Sequence, residues 1–305
     1  MADPLVWLPF EVEKLGDVPD SLRYETVRPT ADDIPAGVEE VRFYVPAYNL
    51  GPGQGELLRR MSRLEVVQTL TAGVDHIRGE VPDGVLLCNG RGIHNASTAE
   101  LALTLTLASL RGVPGFVDDQ REGRWNQGWR ESLADKTVMI LGYGDIGRDI
   151  ERRLVPFEVD VVRVARSARD GVHAIAEVPV LLPEVDVVIL VVPGTSETRG
   201  LVDSAFLGRM RHGALLVNVA RGPVVVTDDL VDALTTGQVR AALDVTDPEP
   251  LPDAHPLWSA PGVLVTPHVG GATPAMWPRA YRLVAEQLHR FAHGEQLANV
   301  MTGEY

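Results

Sequence analysis

Cysteine is nearly absent. Cys88 is the only one in 305 residues, which excludes an intrachain disulfide and any cysteine-based zinc cluster. No metal site is expected, and a reducing cytoplasm is the expected compartment. Positive charge is also short: 28 Lys and Arg stand against 42 Asp and Glu, a net charge of −14. So acidic a chain argues against a nucleic-acid surface. Long apolar runs are missing too. The longest, Leu101 to Leu110 with its threonines and Val187 to Val192, fall well below the ~20 residues of a membrane span. The start, Met1-Ala2-Asp3-Pro4-Leu5, lacks the basic region of a secretory signal. Neither a membrane nor a targeting role is expected.

What is present is an ordinary globular composition, 45% hydrophobic and 23% charged, in a chain long enough for two domains. Its most informative stretch is Gly142-Tyr143-Gly144-Asp145-Ile146-Gly147. An apolar run with the length of a buried strand, Thr137 to Leu141, precedes it, and a helix-like segment from Asp149 to Val155, ended by Pro156, follows. In a strand–glycine turn–helix unit the first glycine permits the tight turn. The second lets a pyrophosphate approach the backbone, and the third lets helix and strand pack closely. The unpaired N–H groups and dipole of the helix then favour the phosphates. A dinucleotide is therefore expected here.

The next apolar run, Val159 to Ala165, predicts the second strand, whose end should carry an Asp or Glu for the ribose 2′-hydroxyl of NAD. Ala165 stands there instead, followed by Arg166, Ser167, Ala168 and Arg169. Two guanidinium groups and a hydroxyl suit a 2′-phosphate. NADP(H) is favoured and NAD(H) remains open, since ordinary loop arginines would look the same.

Elsewhere, short strands are predicted at Leu5 to Leu8, Val41 to Val45, Leu64 to Thr69 and Val85 to Cys88, with a turn-rich piece at Tyr48 to Gly53 and a helix near Glu56 to Met61. Ser97-Thr98-Ala99-Glu100 reads as a capping box, Ser97 being the N-cap of a helix through Leu110 that is apolar nearly all round. Beyond the glycine turn, strands at 187–192, 214–219, 240–245 and 263–266 alternate with helices near 204–210 and 228–236. Such alternation predicts an α/β, doubly wound sheet. A long amphipathic helix, 275–292, has Gln287 alone spoiling its apolar stripe and is expected to return to the N-terminal domain. The expected domains are 1–94 with 275–305, and 95–274.

Three predicted strand ends carry chemistry: Arg221 after 214–219, Asp244 at the end of 240–245 with Glu249 beyond it, and His268 after 263–266. Strand ends on that edge face the ligand crevice of such a sheet. Reduction of a 2-oxo acid needs a proton donor in the right pKa range, a carboxylate to fix and stabilise the imidazolium, and a guanidinium to pair with the substrate carboxylate. His268, Glu249 and Arg221 fit these jobs. Taken singly, each has a structural alternative: a surface charge, a loop acid, a satisfied histidine.

With these motifs the chain resembles the D-isomer-specific 2-hydroxyacid dehydrogenases over most of its length. The resemblance rests on Gly142 to Gly147, the loop Pro193-Gly194-Thr195-Ser196-Glu197-Thr198, the arginine segment Asn218 to Gly222, the acidic segment Leu243 to Pro250, and Thr266-Pro267-His268. It implies two Rossmann/flavodoxin-like domains with a cleft between them, one binding substrate and one the dinucleotide. It implies Arg221, Glu249 and His268 as the catalytic set. For the cofactor it implies Gly142, Gly144, Asp145, Ile146 and Gly147 in the turn, with Arg166, Ser167 and Arg169 after the second strand. Pro193, Thr198, Val219, Ala220 and Arg221 join them, as do Asp244 on the nicotinamide carboxamide and His268, Gly270 and Gly271. For the substrate it implies the loop at Thr71, Ala72 and Gly73, together with Arg221 and His268; a tight turn is the alternative there.

The family's common histidine two residues before the proline of the 193–198 loop is Val191 here, which changes the cofactor wall and leaves the catalytic set intact. Ala165 with Arg166 is similar to the NADP-preferring glyoxylate and hydroxypyruvate reductases. The expected function is thus hydride transfer between NADP(H) and a small 2-oxo or D-2-hydroxy acid, with a homodimer implied and the buried helix through Leu110 part of its interface. The rival is a dinucleotide-sensing corepressor-like binding protein with little turnover. Trp125, Trp129, Trp258, Met276 and Trp277 are candidates for the substrate side-chain pocket.

Overall fold

The computed structural model describes residues 3–29, 34–48 and 53–303. Most of the turn-rich piece at Tyr48 to Gly53 lies outside them. The chain divides into two compact units, Met1–His94 with Pro274–Tyr305, and Asn95–Thr273.

The first unit opens with β1 (Leu5–Leu8), β2 (Arg23–Thr26), β3 (Val41–Tyr44), the short helix α1 (Gly55–Arg60), β4 (Val66–Gln68) and β5 (Leu86–Cys88). They form one parallel sheet in the order β2-β1-β3-β4-β5, the flavodoxin-like arrangement. Strands buried on both faces read as continuous apolar runs, which is why β1 and β3 were visible in the sequence. Arg-Tyr-Glu-Thr in β2 has no such run. It is the edge strand, where ladder bonds to β1 suffice and charge is tolerated.

The second unit starts with α2 (Asn95–Leu110) and α3 (Val113–Arg121). Because α2 begins at Asn95, Ser97 is a buried first-turn residue and not the N-cap; a cap needs the non-helical backbone of the residue outside the helix. Then follow β6 (Thr137–Leu141), α4 (Asp145–Leu154), β7 (Asp160–Ala165), β8 (His173–Ala174), α5 (Val178–Leu181), β9 (Val187–Leu190), α6 (Ser204–Arg209), β10 (Ala214–Asn218), α7 (Thr227–Thr235), β11 (Val239–Leu243) and β12 (Val263–Val265). All seven strands are parallel, in the order β12-β11-β10-β9-β6-β7-β8. The period-2 alternation of strands divides their side chains between two cores. Met139, Leu141, Val188 and Leu190 pack on one face, and Val138, Ile140, Val187 and Ile189 on the other. The helix α2 is buried within this unit, against Ile150 and Leu154 of α4 and the sheet.

The sequence suggested that the helix after the glycine turn begins at Asp149, since glycine is a poor helix former. It begins at Asp145 and contains Gly147, whose missing side chain lets the helix lie on the strand.

The last helix, α8 (Met276–Ala292), belongs to the first unit. Its buried stripe of Met276, Ala280, Val284 and Leu288 packs with Val6, Leu8, Phe43 and Val66. Gln287, fully buried, donates from Nε2 to Gln68 Oε1 (2.7 Å) and to the Ala298 carbonyl (2.9 Å), and its Oε1 accepts from Ala298 N (2.8 Å). Among the described residues no helix is long and apolar enough to cross a membrane.

Candidate functional site

In the second unit the chain runs from β6 to β7 on one side and on to β9 on the other, the switch that opens a crevice at the carboxyl edge of such a sheet. The glycine turn lies there. Gly142 has φ 114°, and a Cβ on it would sit 2.6 Å from the Val191 carbonyl. A Cβ on Gly147 would sit 2.6 Å from the Gly142 oxygen. The first and third glycines are thus required by the protein's own backbone. Gly144 is exposed, and a Cβ there would meet open space; its own backbone, at φ −97° and ψ −149°, lies outside the regions favoured by L residues, and the bare surface leaves room for an anion. The first-turn amides of α4, at Asp145, Ile146 and Gly147, start beside it, as a pyrophosphate requires.

After β7, Arg166, Ser167 and Arg169 are all exposed. Arg166 pairs with Glu197, and Arg169 donates to the Tyr143 carbonyl of the glycine turn at 2.6 Å. Glu197 belongs to the 193–198 loop, which the buried Thr198 closes: its Oγ1 donates to the Pro193 carbonyl (2.6 Å) and accepts from Thr195 N (2.9 Å).

The arginine segment leaves β10 through Asn218, buried, whose Oδ1 accepts from Ala220 N (3.0 Å) and whose Nδ2 donates to the Arg221 carbonyl (3.0 Å). Val219 and Ala220 are buried and Arg221 is half-buried. A Cβ on Gly222 would lie 1.9 Å from the Thr246 carbonyl oxygen, so only glycine lets the arginine segment rest on the acidic one. At the end of β11, Asp244 is buried. Its Oδ1 accepts from Thr266 Oγ1 (2.6 Å) and Val269 N (2.9 Å), and its Oδ2 from Gly270 N (2.9 Å). Its carbonyl accepts from His268 N at 2.8 Å. These bonds hold His268 at φ 52°, a conformation uncommon outside glycine and enriched at functional sites. A carboxylate offers about four acceptor positions, so one remains on Oδ2 for a further donor. Gly271 is half-buried beside it.

His268 Nδ1 meets Glu249 Oε1 at 2.5 Å. That hydrogen bond raises the imidazole pKa above its ordinary value against the opposing effect of burial, and holds the Glu249 carboxyl below the usual range. Arg221 acts on both groups, lowering each. Guanidinium, carboxylate and imidazole thus share one electrostatic neighbourhood, and Nε2 is the ring nitrogen left to move a proton.

In the first unit, the Thr71–Gly73 loop follows β4 at the carboxyl edge of its own sheet. The Thr71 carbonyl accepts from Gly90 N (2.7 Å) and the Ala72 carbonyl from Asn89 Nδ2 (3.0 Å). Of the five pocket candidates, Met276 is a core residue of the first unit at 2% exposure, because it occupies the buried stripe of α8. Trp125 and Trp129 are 94% and 99% exposed in a segment without regular structure. Trp258 is exposed, and Trp277 stacks on Tyr281. Among the described residues no group of three or more His, Cys, Asp or Glu could hold a metal ion. Sequence reasoning held Asn218 and Gly222 only as the ends of the arginine segment, without their contacts, and missed the Arg166–Glu197 pair and Asn89. Only the Arg-Gly step at Gly222 carried a local signal, a turn glycine directly after a strand.

Residues 103–270 match the model of the D-isomer specific 2-hydroxyacid dehydrogenase NAD-binding domain. A mouse glyoxylate reductase/hydroxypyruvate reductase is 37% identical over 227 residues, 70% of this chain and 69% of the relative. Among solved structures, a D-isomer specific 2-hydroxyacid dehydrogenase from Xanthobacter autotrophicus Py2, in complex with NADPH and MES, superposes with a TM-score of 0.83 at 30% identity, covering 99% of this chain and 98% of that one. An NADPH-dependent glyoxylate/hydroxypyruvate reductase from Sinorhizobium meliloti, in complex with NADP and malonate, gives 0.79 at 26% identity, covering 99% and 98%.

Proposed function

The chain belongs to the D-isomer specific 2-hydroxyacid dehydrogenase family, and from that premise we propose that it reduces a small 2-oxo acid, glyoxylate or hydroxypyruvate, with NADPH. The product is the 2-hydroxy acid, of D configuration where C2 is stereogenic. The observation that carries this reading is the His268–Glu249 hydrogen bond with Arg221 acting on both partners.

His268 Nε2 gives a proton to the C2 oxygen during reduction and takes it back in oxidation. Glu249, on Nδ1, fixes the tautomer and stabilises the imidazolium. Arg221 pairs with the substrate carboxylate and polarises the carbonyl. In the first unit, the loop that Thr71 opens, through the amides of Ala72 and Gly73, is assigned to the same carboxylate. Bound NADPH supplies the hydride. Its pyrophosphate is assigned to Gly142, Gly144, Asp145, Ile146 and Gly147, its 2′-phosphate to Arg166, Ser167 and Arg169, and its carboxamide to the remaining acceptor of Asp244. Pro193, Thr198, Val219, Ala220, Gly270 and Gly271 complete the cofactor wall. The NADP-bound and NADPH-bound relatives support the cofactor preference.

A homodimer belongs to this proposal. Two almost fully exposed tryptophans, Trp125 and Trp129, support it, since rings of that size are enriched in protein interfaces.

The deciding experiment compares NADPH with NADH on glyoxylate, hydroxypyruvate, pyruvate and phenylpyruvate at steady state. The highest kcat/KM is expected with NADPH and one of the first two acids. Tight NADPH binding without oxidation by any 2-oxo acid would overturn the reading in favour of a dinucleotide-sensing binding protein.

A further inference from the structure

We propose that Asn89 is a positioning residue for substrate binding: it aims the Gly73 amide at the substrate carboxylate, and the C-terminal segment around Asn299 holds Asn89 in place. The inference rests on the reading of Thr71–Gly73 as the carboxylate loop.

Four successive carbonyls, that of Leu70 and the three of this loop, are each bound by the protein. Leu70 O pairs with His94 Nε2 (2.9 Å), and Thr71 O accepts from Gly90 N (2.7 Å) and Thr69 Oγ1 (2.9 Å). Ala72 O accepts from Asn89 Nδ2 (3.0 Å), and Gly73 O from Thr71 Oγ1 (2.8 Å). In a trans peptide the carbonyl of one residue and the N–H of the next point in opposite directions across one plane. Fixing the Thr71 oxygen therefore aims the Ala72 amide, and fixing the Ala72 oxygen aims the Gly73 amide. Among the described residues these two amides have no acceptor. Consecutive amides turned to one side form an anion-binding concavity.

Asn89 is unusually well held for a residue whose side chain makes that one bond to the loop. It is buried, its N donates to the Asn299 carbonyl (3.1 Å), and its own carbonyl accepts from Gln68 Nε2 (3.1 Å) and Asn299 Nδ2 (3.3 Å). Its Oδ1 accepts from Arg91 N at 3.1 Å. Gln68 is in turn held by Gln287 of α8. Such a buried polar chain stabilises a fold only when its members are satisfied. Here every polar atom of Asn89 has a partner, and one of the two N–H donors of its side chain goes to Ala72. Gly90 allows the approach, since a Cβ there would lie 2.6 Å from the Leu70 carbonyl.

Asn89→Asp keeps the shape and the acceptor for Arg91 N and removes the donor to Ala72. In the full-length protein KM for glyoxylate is expected to rise about ten-fold, the effect of one misdirected charge-assisted hydrogen bond, with kcat and the NADPH Kd little changed. Asn299→Gly, which keeps the left-handed backbone and removes one clamp, should raise KM by about three-fold on the same scale. If Asn89→Asp does not fold, Asn299→Gly alone decides. A lowered Tm with unchanged KM in the variants that fold would overturn the proposal. A crystal structure of the wild-type protein with NADP and oxamate, an unreactive isostere of a small 2-oxo acid, separates the two levels. A carboxylate away from the Ala72 and Gly73 amides overturns the loop reading and this proposal together. A carboxylate on them, with KM unchanged in the variants, overturns the role of Asn89 alone.

Discussion

His268 and Glu249 show how little is needed at the residue scale to bias an imidazole toward its charged form. A neighbouring carboxylate favours the charged imidazole, and its hydrogen bond outweighs the burial that opposes it. The raised pKa keeps the acid form present to higher pH than an unperturbed imidazole would, and that form is lost as pH rises through the shifted value. Glu249→Gln removes the charge and leaves the burial, so the imidazole pKa falls. Reduction by this variant should therefore decline at lower pH than in the wild type, losing the alkaline limb of the kcat/KM profile first; coincident profiles would refute the role. Arg166 poses a different question, because its guanidinium is paired with Glu197. Binding of a 2′-phosphate must exchange one anion for another of higher charge. Arg166→Ala should weaken NADPH by about ten-fold or more while leaving NADH within about two-fold, the size of a lost charge-assisted bond. A surviving NADPH preference in isothermal titration would assign the phosphate elsewhere.

Among the elements, the strand ends do most to place the site. Strands β10, β11 and β12 are paired in register, so the segments leaving them are neighbours before any side chain is chosen. The contact that locks them is Gly222 on the Thr246 carbonyl. Gly222→Ala forces two backbone segments apart, and a loss of about 1–3 kcal/mol is expected in urea unfolding, together with a fall in kcat as Arg221 shifts from Glu249. Full stability in Gly222→Ala would mean the contact relaxes freely. The helix α4 makes a related point. Its first turn holds Asp145, Ile146 and Gly147, the last three residues of the glycine turn, and the helical period shows in the sequence only past Gly147. Edge strand β2 was invisible because its partner, β1, lies about fifteen residues upstream and supplies the hydrogen bonds that local composition does not advertise.

For the whole molecule, the acidic balance of −14 sets the task of holding an anionic cofactor and an anionic substrate. The proposed solution is local: amides at a helix start and in a loop, and a few arginines at strand ends, without a basic surface. The proposed homodimer is checked by light scattering, which should give twice the 33.1 kDa of the chain. Trp125→Ala with Trp129→Ala should move the mass toward that of one chain, and an unchanged mass would put the interface elsewhere. Much of this was legible in the sequence by itself: the doubly wound class, the positions of most strands, the glycine turn, and Arg221, Glu249 and His268 as a set. Those features are encoded locally, in apolar runs, turn glycines and residues just beyond strand ends, where chain neighbours are also space neighbours. Only the tertiary structure decided the rest. That Gln287 is a satisfied partner of Gln68, that Asn89 reaches the Thr71–Gly73 loop and is held by Asn299, and that Glu197 sits on Arg166 all depend on segments far apart in sequence. Such hydrogen bonds leave no periodicity behind, because their partners are set by packing and not by spacing along the chain.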